Sequence, residues 1–194
     1  QITAFQFSHH EMHEDGTVRH RDQWLLATPG RDPNFEFVRA LRTALGRDQG
    51  SVFRWAAHEN TVLNQLRTEL LAAAEPPADR DELVTFIETI TSRDGVAGAR
   101  NMVDLCDLSG RFFFHPLTNG SAALKKLLPA LMQCSTTLRD LYSSEGYGPD
   151  SSLNLRGPVA WWQLKDGVAA DPYSLLPPLF DDIDAEEQAA LDES

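Results

Sequence analysis

The chain reads as an α/β protein, a mixed β-sheet with helices packed against it. Three observations predict that class. A hairpin signal comes first, helical and extended stretches then alternate, and Gly and Pro clusters separate them. At 194 residues the chain suits a single domain, with a core large enough to stand without staples.

Residues 2–13, "ITAFQFSHHEMH", alternate with Phe5 and Phe7 on one side. Asp15-Gly16 follows and then "TVRHRDQWLLA", so an Asp-Gly turn joins two extended stretches. "TPGRDPN" is a loop. A helix starts near Asn34, with Phe35, Val38, Leu41 and Leu45 on one face, and ends at Gly46 or Gly50. "SVFRWA" is a short strand, and the helix after it runs to about Ala74, where "EPPAD" breaks it. Asp79 and Glu82 form a capping box opening a helix with Leu83, Phe86, Ile87 and Ile90 aligned. "RNMVDL" is the next strand. A helix from Ser121 aligns Leu124, Leu127, Leu128 and Leu131, and Pro129 must kink it or begin another. "STTLRDLY" adds a turn or two. Residues 143–180 then read as an irregular extension, with a small hairpin around Asp166-Gly167 and an extended "PYSLLPPLF".

Composition narrows the function classes. A net charge of -12 argues against sequence-independent nucleic-acid binding, which draws its affinity from Lys and Arg. Acidity does not exclude a nuclease, because a metal site needs carboxylates and restores positive charge locally. No long apolar run is present, which predicts no membrane association. Cys106 and Cys134 match no metal spacing and form no disulfide framework, which predicts a cytoplasmic protein. The chain opens on Gln1 and enters a strand pattern at once, while "DDIDAEEQAALDES" starts a helical pattern and stops. Both ends predict an internal piece of a longer protein.

Several side chains invite a chemical reading. His9, His10 and His13 crowd one stretch, but the pattern is not His-Glu-x-x-His and runs into a turn, so polar strand residues are the plainer account. Trp161 and Trp162, on a strand, would face opposite ways and could stack bases only without the interleaved basic residues such platforms carry. Lys125 and Lys126 follow an Asn-Gly-Ser helix start, where a phosphate could be held; solvated helix-face lysines are the alternative. Asp104, between Val103 and Leu105, either points into a cleft or caps the next helix beside Asp107.

Glu59 is the strongest candidate. On a helix, residues 59, 63, 66 and 70 share a stripe, and Leu63, Leu66 and Leu70 must face the sheet. Glu59 then sits at the sheet-facing corner of the first turn, just past the carboxyl end of a strand, where open α/β sheets bind ligands. The competing account is a first-turn acid favoured by the helix dipole.

The stretches "FQFSHH", "FRWAAHENTVLNQL", "MVDL", "GSAALKKLLPAL" and "DPYSLLPPLF" resemble, in order and spacing, the bacterial domain-of-unknown-function family 2779 along nearly the whole chain. That family resembles the ribonuclease H-like fold of the DEDD (DnaQ-like) 3'-5' exonucleases and is often found downstream of a RecB-like nuclease segment. The resemblance implies two-metal phosphodiester hydrolysis with Mg²⁺ or Mn²⁺ held by four carboxylates. Glu59 matches the second acidic motif. The first, Asp-x-Glu, would lie upstream of Gln1, and the last Asp would lie beyond Ser194. Exonucleases commonly carry Asn-Ala-x-Phe-Asp at the second motif, where this chain reads Trp55-Ala56-Ala57-His58-Glu59. In the family's glycine-serine helix motif Lys125 fits, while Ala122 and Ala123 replace more polar residues.

The resulting expectation is a single truncated ribonuclease H-like domain over residues 1–194, lacking its first strand and last helix. It would be a catalytically incomplete piece of a metal-dependent nuclease, with Glu59 as catalytic and metal-site acid, Lys125 as a phosphate contact and Asp104 as a further acid. Nucleic acid would be the partner of the full-length protein, beside a RecB-like nuclease domain or a second copy of the chain. The alternative is a degenerate ribonuclease H-like module that binds protein and positions a neighbouring nuclease.

Overall fold

A computed structural model describes residues 2–144 and 159–176. The chain divides into two compact units, Gln1–Asp107 and Leu108–Ser194. Among the described residues no helix is long and apolar enough to cross a membrane.

In the first unit the Asp15-Gly16 turn closes a hairpin, with Gly16 at φ 82°. Its arms are β1 (Gln6–Met12) and β2 (Val18–Leu25), paired antiparallel with a bulge between His9 and His10. Phe7 and Trp24 meet Phe37 edge-on, at ring-centroid distances of 5.8 and 5.9 Å. Phe5, expected beside Phe7, is exposed.

Helix α1 (Asn34–Leu45) buries Asn34, Phe37, Val38 and Ala44. Its inward face is therefore rotated from the expected one, and Phe35, Leu41 and Leu45 pack at the core's margin. Helix α2 (His58–Ala72) buries Leu63, Leu66 and Leu70, the expected stripe. Helix α3 (Arg80–Ile90) buries Leu83, Ile87 and Ile90 against it. The capping box at Asp79 does not form. Arg39 takes both Asp79 oxygens, at 2.6 and 2.7 Å, and a bidentate guanidinium is a stronger partner for the carboxylate than its own helix amides.

The expected single mixed sheet does not appear among the described residues. Four two-stranded ladders take its place. Beside the first hairpin, β3 (Phe53–Arg54) pairs in parallel with β6 (Val103–Asp104), and β4 (Ser92–Arg93) pairs with β5 (Val96–Ala97) across a turn at Asp94-Gly95. The short arms have a local cause. β3 runs into the left-handed Ala56 at φ 64°, and β6 passes directly into helix α4 (Leu105–Phe112). Gly98 lies so close to α3 that a Cβ there would stand 2.1 Å from the Glu88 carbonyl oxygen.

In the second unit α5 (Leu124–Cys134) begins three residues after Ser121, whose hydroxyl accepts from the Ala123 amide at 3.2 Å. It continues through Pro129 instead of ending there, burying Leu127, Ala130 and Met132. Helix α6 (Thr136–Ser143) is N-capped by Ser135, which accepts from the Leu138 amide at 3.2 Å. The small hairpin forms as β7 (Leu164–Lys165) and β8 (Val168–Ala169) around Asp166-Gly167, and Gln133 Oε1 accepts from the Ala169 amide at 3.0 Å. Pro172–Leu175, expected to be extended, is a 3₁₀ turn capped by Asp171. The rest of the expected 143–180 extension, residues 145–158 and 177–180, lies outside the described residues.

Candidate functional site

The first unit carries a cleft of about 1240 Å³. One wall is the run from Ile2 to His13 along β1. Ser51, Val52 and Phe53, at and before β3, also line the cleft. Leu41, Leu45, Val62, Leu63, Ile90 and Met102 supply an apolar floor, and His58 and Glu59 belong to the lining as well.

Glu59 takes its position from two constraints. β3 ends at the Ala56 turn, and α2 then begins at His58, so Glu59 falls in its first turn. The buried Leu63–Leu66–Leu70 stripe sets the helix rotation and brings the carboxylate to the cleft. The helix has no side-chain cap at Ala57, and Glu59, which is exposed, has no hydrogen bond or ion pair among the described residues. It is not tied to its own helix's amides.

Asp104 has a different task. Its Oδ1 accepts from the amides of Ala56 at 3.1 Å, Cys106 at 3.0 Å and Asp107 at 3.2 Å. Its Oδ2 lies 3.2 Å from the Arg54 guanidinium, which also donates to the Ala56 carbonyl. The carboxylate thus caps α4 and holds the left-handed Ala56 from both sides, which offsets the cost of that backbone conformation. Of the two accounts of Asp104 in the sequence, the geometry is that of the cap.

Lys125 belongs to the second unit. Its ammonium stands 5.6 Å above the centre of the Tyr173 ring, a cation–π contact. In the same unit Trp161 and Trp162 precede β7 instead of lying on a strand, both are half-buried, and the Arg139 guanidinium covers the Trp162 ring at 5.5 Å.

The histidines sit along the cleft wall. His10 faces His20 across the hairpin, with ring centroids 5.2 Å apart. Burial first, then the charges of His20 and His9, hold the His10 imidazole below its ordinary pKa. Among the described residues no group of three His, Cys, Asp or Glu side chains could hold a metal ion. Glu59 alone and an Asp104 committed to amides and arginine do not make a two-ion site, so the carboxylate set implied by the sequence resemblance is not assembled by these residues.

Residues that sequence reasoning passed over shape the site. Asn34, read as a helix start, is a buried bridge to Ile2, Ala4 and Glu69. Asn60 exchanges two bonds with the Ser92 backbone, at 2.8 and 3.0 Å, which fixes the first turn of α2. Arg100 donates to the Gly50 carbonyl at 2.7 Å, to the Leu45 carbonyl and to Asp48 at 2.9 Å, which fixes the loop before β3. Each of these bonds links residues at least 30 positions apart, so no short-range pattern announces them.

A family model matches residues 1–123, described as a domain of unknown function, DUF2779. No curated protein and no solved structure matches the chain.

Proposed function

Because the chain belongs to the DUF2779 family of domains of unknown function, we propose that it is part of a ribonuclease H-like, DnaQ-like nuclease domain and is catalytically incomplete as residues 1–194. One observation carries the reading: Glu59 lines the cleft just past β3 and has no structural partner among the described residues. An acid without a structural partner at the carboxyl end of a strand, where open α/β sheets bind ligands, supports the reading. Hydrolysis with Mg²⁺ or Mn²⁺ needs further carboxylates, and the described residues do not gather them, so no hydrolytic step is assigned to these residues.

A second reading has its own support. A module that binds protein and positions a neighbouring RecB-like nuclease segment needs no metal ligands, and the net charge of -12 suits it better than it suits a nucleic-acid surface.

The deciding experiment uses the natural full-length protein, labelled single-stranded DNA and RNA, and Mg²⁺ or Mn²⁺. Glu59→Gln is expected to cut degradation at least a hundredfold under the nuclease reading. Unchanged degradation would overturn it and favour the positioning module.

A further inference from the structure

We propose that the β1–β2 hairpin carries a transition-metal site, in which the imidazoles of His10 and His20 hold one Zn²⁺ ion between them. The site is independent of the nuclease reading and uses none of its carboxylates.

The strand register makes the pair. His9 stands opposite Asp22, but His10 stands opposite His20, because the bulge passes over Arg21. An unbroken ladder would set His10 against the Arg21 guanidinium. The bulge re-aims β2 by one residue and puts a second imidazole there instead. The His13 amide donates to the Thr17 carbonyl at 2.9 Å, which makes that pair a hydrogen-bonded one. Antiparallel alternation, counted back from it, makes His10 and His20 a non-hydrogen-bonded pair, the kind whose side chains stand closest.

Ring geometry fits an ion to this pair. The ring centroids are 5.2 Å apart, with the planes at 68°. An ion ~2 Å from an imidazole nitrogen lies roughly 3.2 Å from that ring's centre, so rings at this separation subtend about 110° at it, close to the tetrahedral angle of zinc. Both side chains are exposed, which leaves χ2 free to turn a nitrogen toward the ion.

The nitrogens are available. Among the described residues neither imidazole makes a hydrogen bond or an ion pair. The neighbouring carboxylates are committed elsewhere: Glu11 lies 3.5 Å from Arg21, and Asp22 lies 2.8 Å from Arg47. Two imidazoles select zinc, nickel or copper over Mg²⁺, which prefers oxygen. Water fills the remaining positions of a tetrahedral ion. His9 lies on the other face of β1 by alternation, and His13 lies past the strand's end. The crowding of histidines in one stretch is therefore not the signal; the register across the hairpin is.

The test titrates the chain with Zn²⁺ at neutral pH by calorimetry and follows the imidazole signals by NMR. One ion per chain is expected to bind, to shift the His10 and His20 resonances together and to raise the melting temperature. His10→Gln and His20→Gln should each weaken binding at least tenfold, while His13→Gln leaves it unchanged. His20→Phe keeps a ring opposite His10 without a donor, and replaces His20→Gln should that variant disturb the hairpin. No Zn²⁺ binding, equal binding by the His20 variants, equal binding of Mg²⁺, or resonance shifts confined to other histidines would each overturn the proposal.

Discussion

The Asn34 side chain meets Ala4 as a neighbouring strand would. Its Oδ1 accepts from the Ala4 amide at 2.9 Å, and its Nδ2 donates to the Ile2 carbonyl and to Glu69, each at 2.8 Å. Asn34 is almost fully buried, so losing the amide leaves several groups without partners. Asn34→Ala should cost about 2–4 kcal/mol in urea unfolding. Asn34→Asp should cost more, because a carboxylate cannot donate to Ile2 and repels Glu69. Equal stability of Asp and wild type would refute the bridging role.

Asp104 and Ala56 give a second test. Asp104→Ala removes the α4 cap and the Arg54 partner together, and should destabilise by about 2–4 kcal/mol. Asp104→Asn keeps the accepting oxygen and should cost less than Ala. Ala56→Gly relieves the left-handed backbone and should be neutral or stabilising by up to ~1 kcal/mol. Thermal melts of the three variants check the order.

Gly98 is a matter of close approach. A methyl group would lie 2.1 and 2.3 Å from the Glu88 and Thr89 carbonyl oxygens, and backbone must move to admit it. Gly98→Ala should cost about 1–3 kcal/mol and loosen the β4–β5 hairpin, read as faster exchange of the amide at position 98, which donates to the Thr91 carbonyl at 2.9 Å.

The Arg39–Asp79 pair sets a pH dependence. Hydrogen bonding to the guanidinium, with its charge, holds the Asp79 carboxyl below its ordinary value of 3.8 and raises that of Arg39. Stability from a carboxylate with a lowered folded pKa is present above the unfolded value and is lost as pH falls through the folded one. The loss therefore begins near pH 4 and deepens below it. Both side chains are partly exposed, which limits the contribution to about 1 kcal/mol or less. Asp79→Asn should lower stability at pH 7 and flatten this part of the acid limb; an unchanged limb would contradict the pairing.

Glu59→Gln should leave stability within about 0.5 kcal/mol of wild type, because no described group depends on the charge. A loss above ~1 kcal/mol would make the acid a helix-start device after all.

Local pattern alone determined much of this protein. The Asp-Gly hairpins at residues 15–16 and 166–167, the buried stripe of α2, and hence the rotation that carries Glu59 to the cleft, all rest on interactions within a few residues. Tertiary contacts decided the rest. Arg39, forty positions from Asp79, dissolved a local capping box because two charge-assisted bonds outweigh one cap. Asp104 caps α4 through local amides, but it became a clamp as well only because β6 pairs with β3 across 50 residues of chain, which brings Ala56 and Arg54 to it. The cleft itself gathers residues as far apart in the chain as Ile2 and Met102. Side-chain periodicity reports which face of a strand is buried, but it carries no trace of which edge finds a partner.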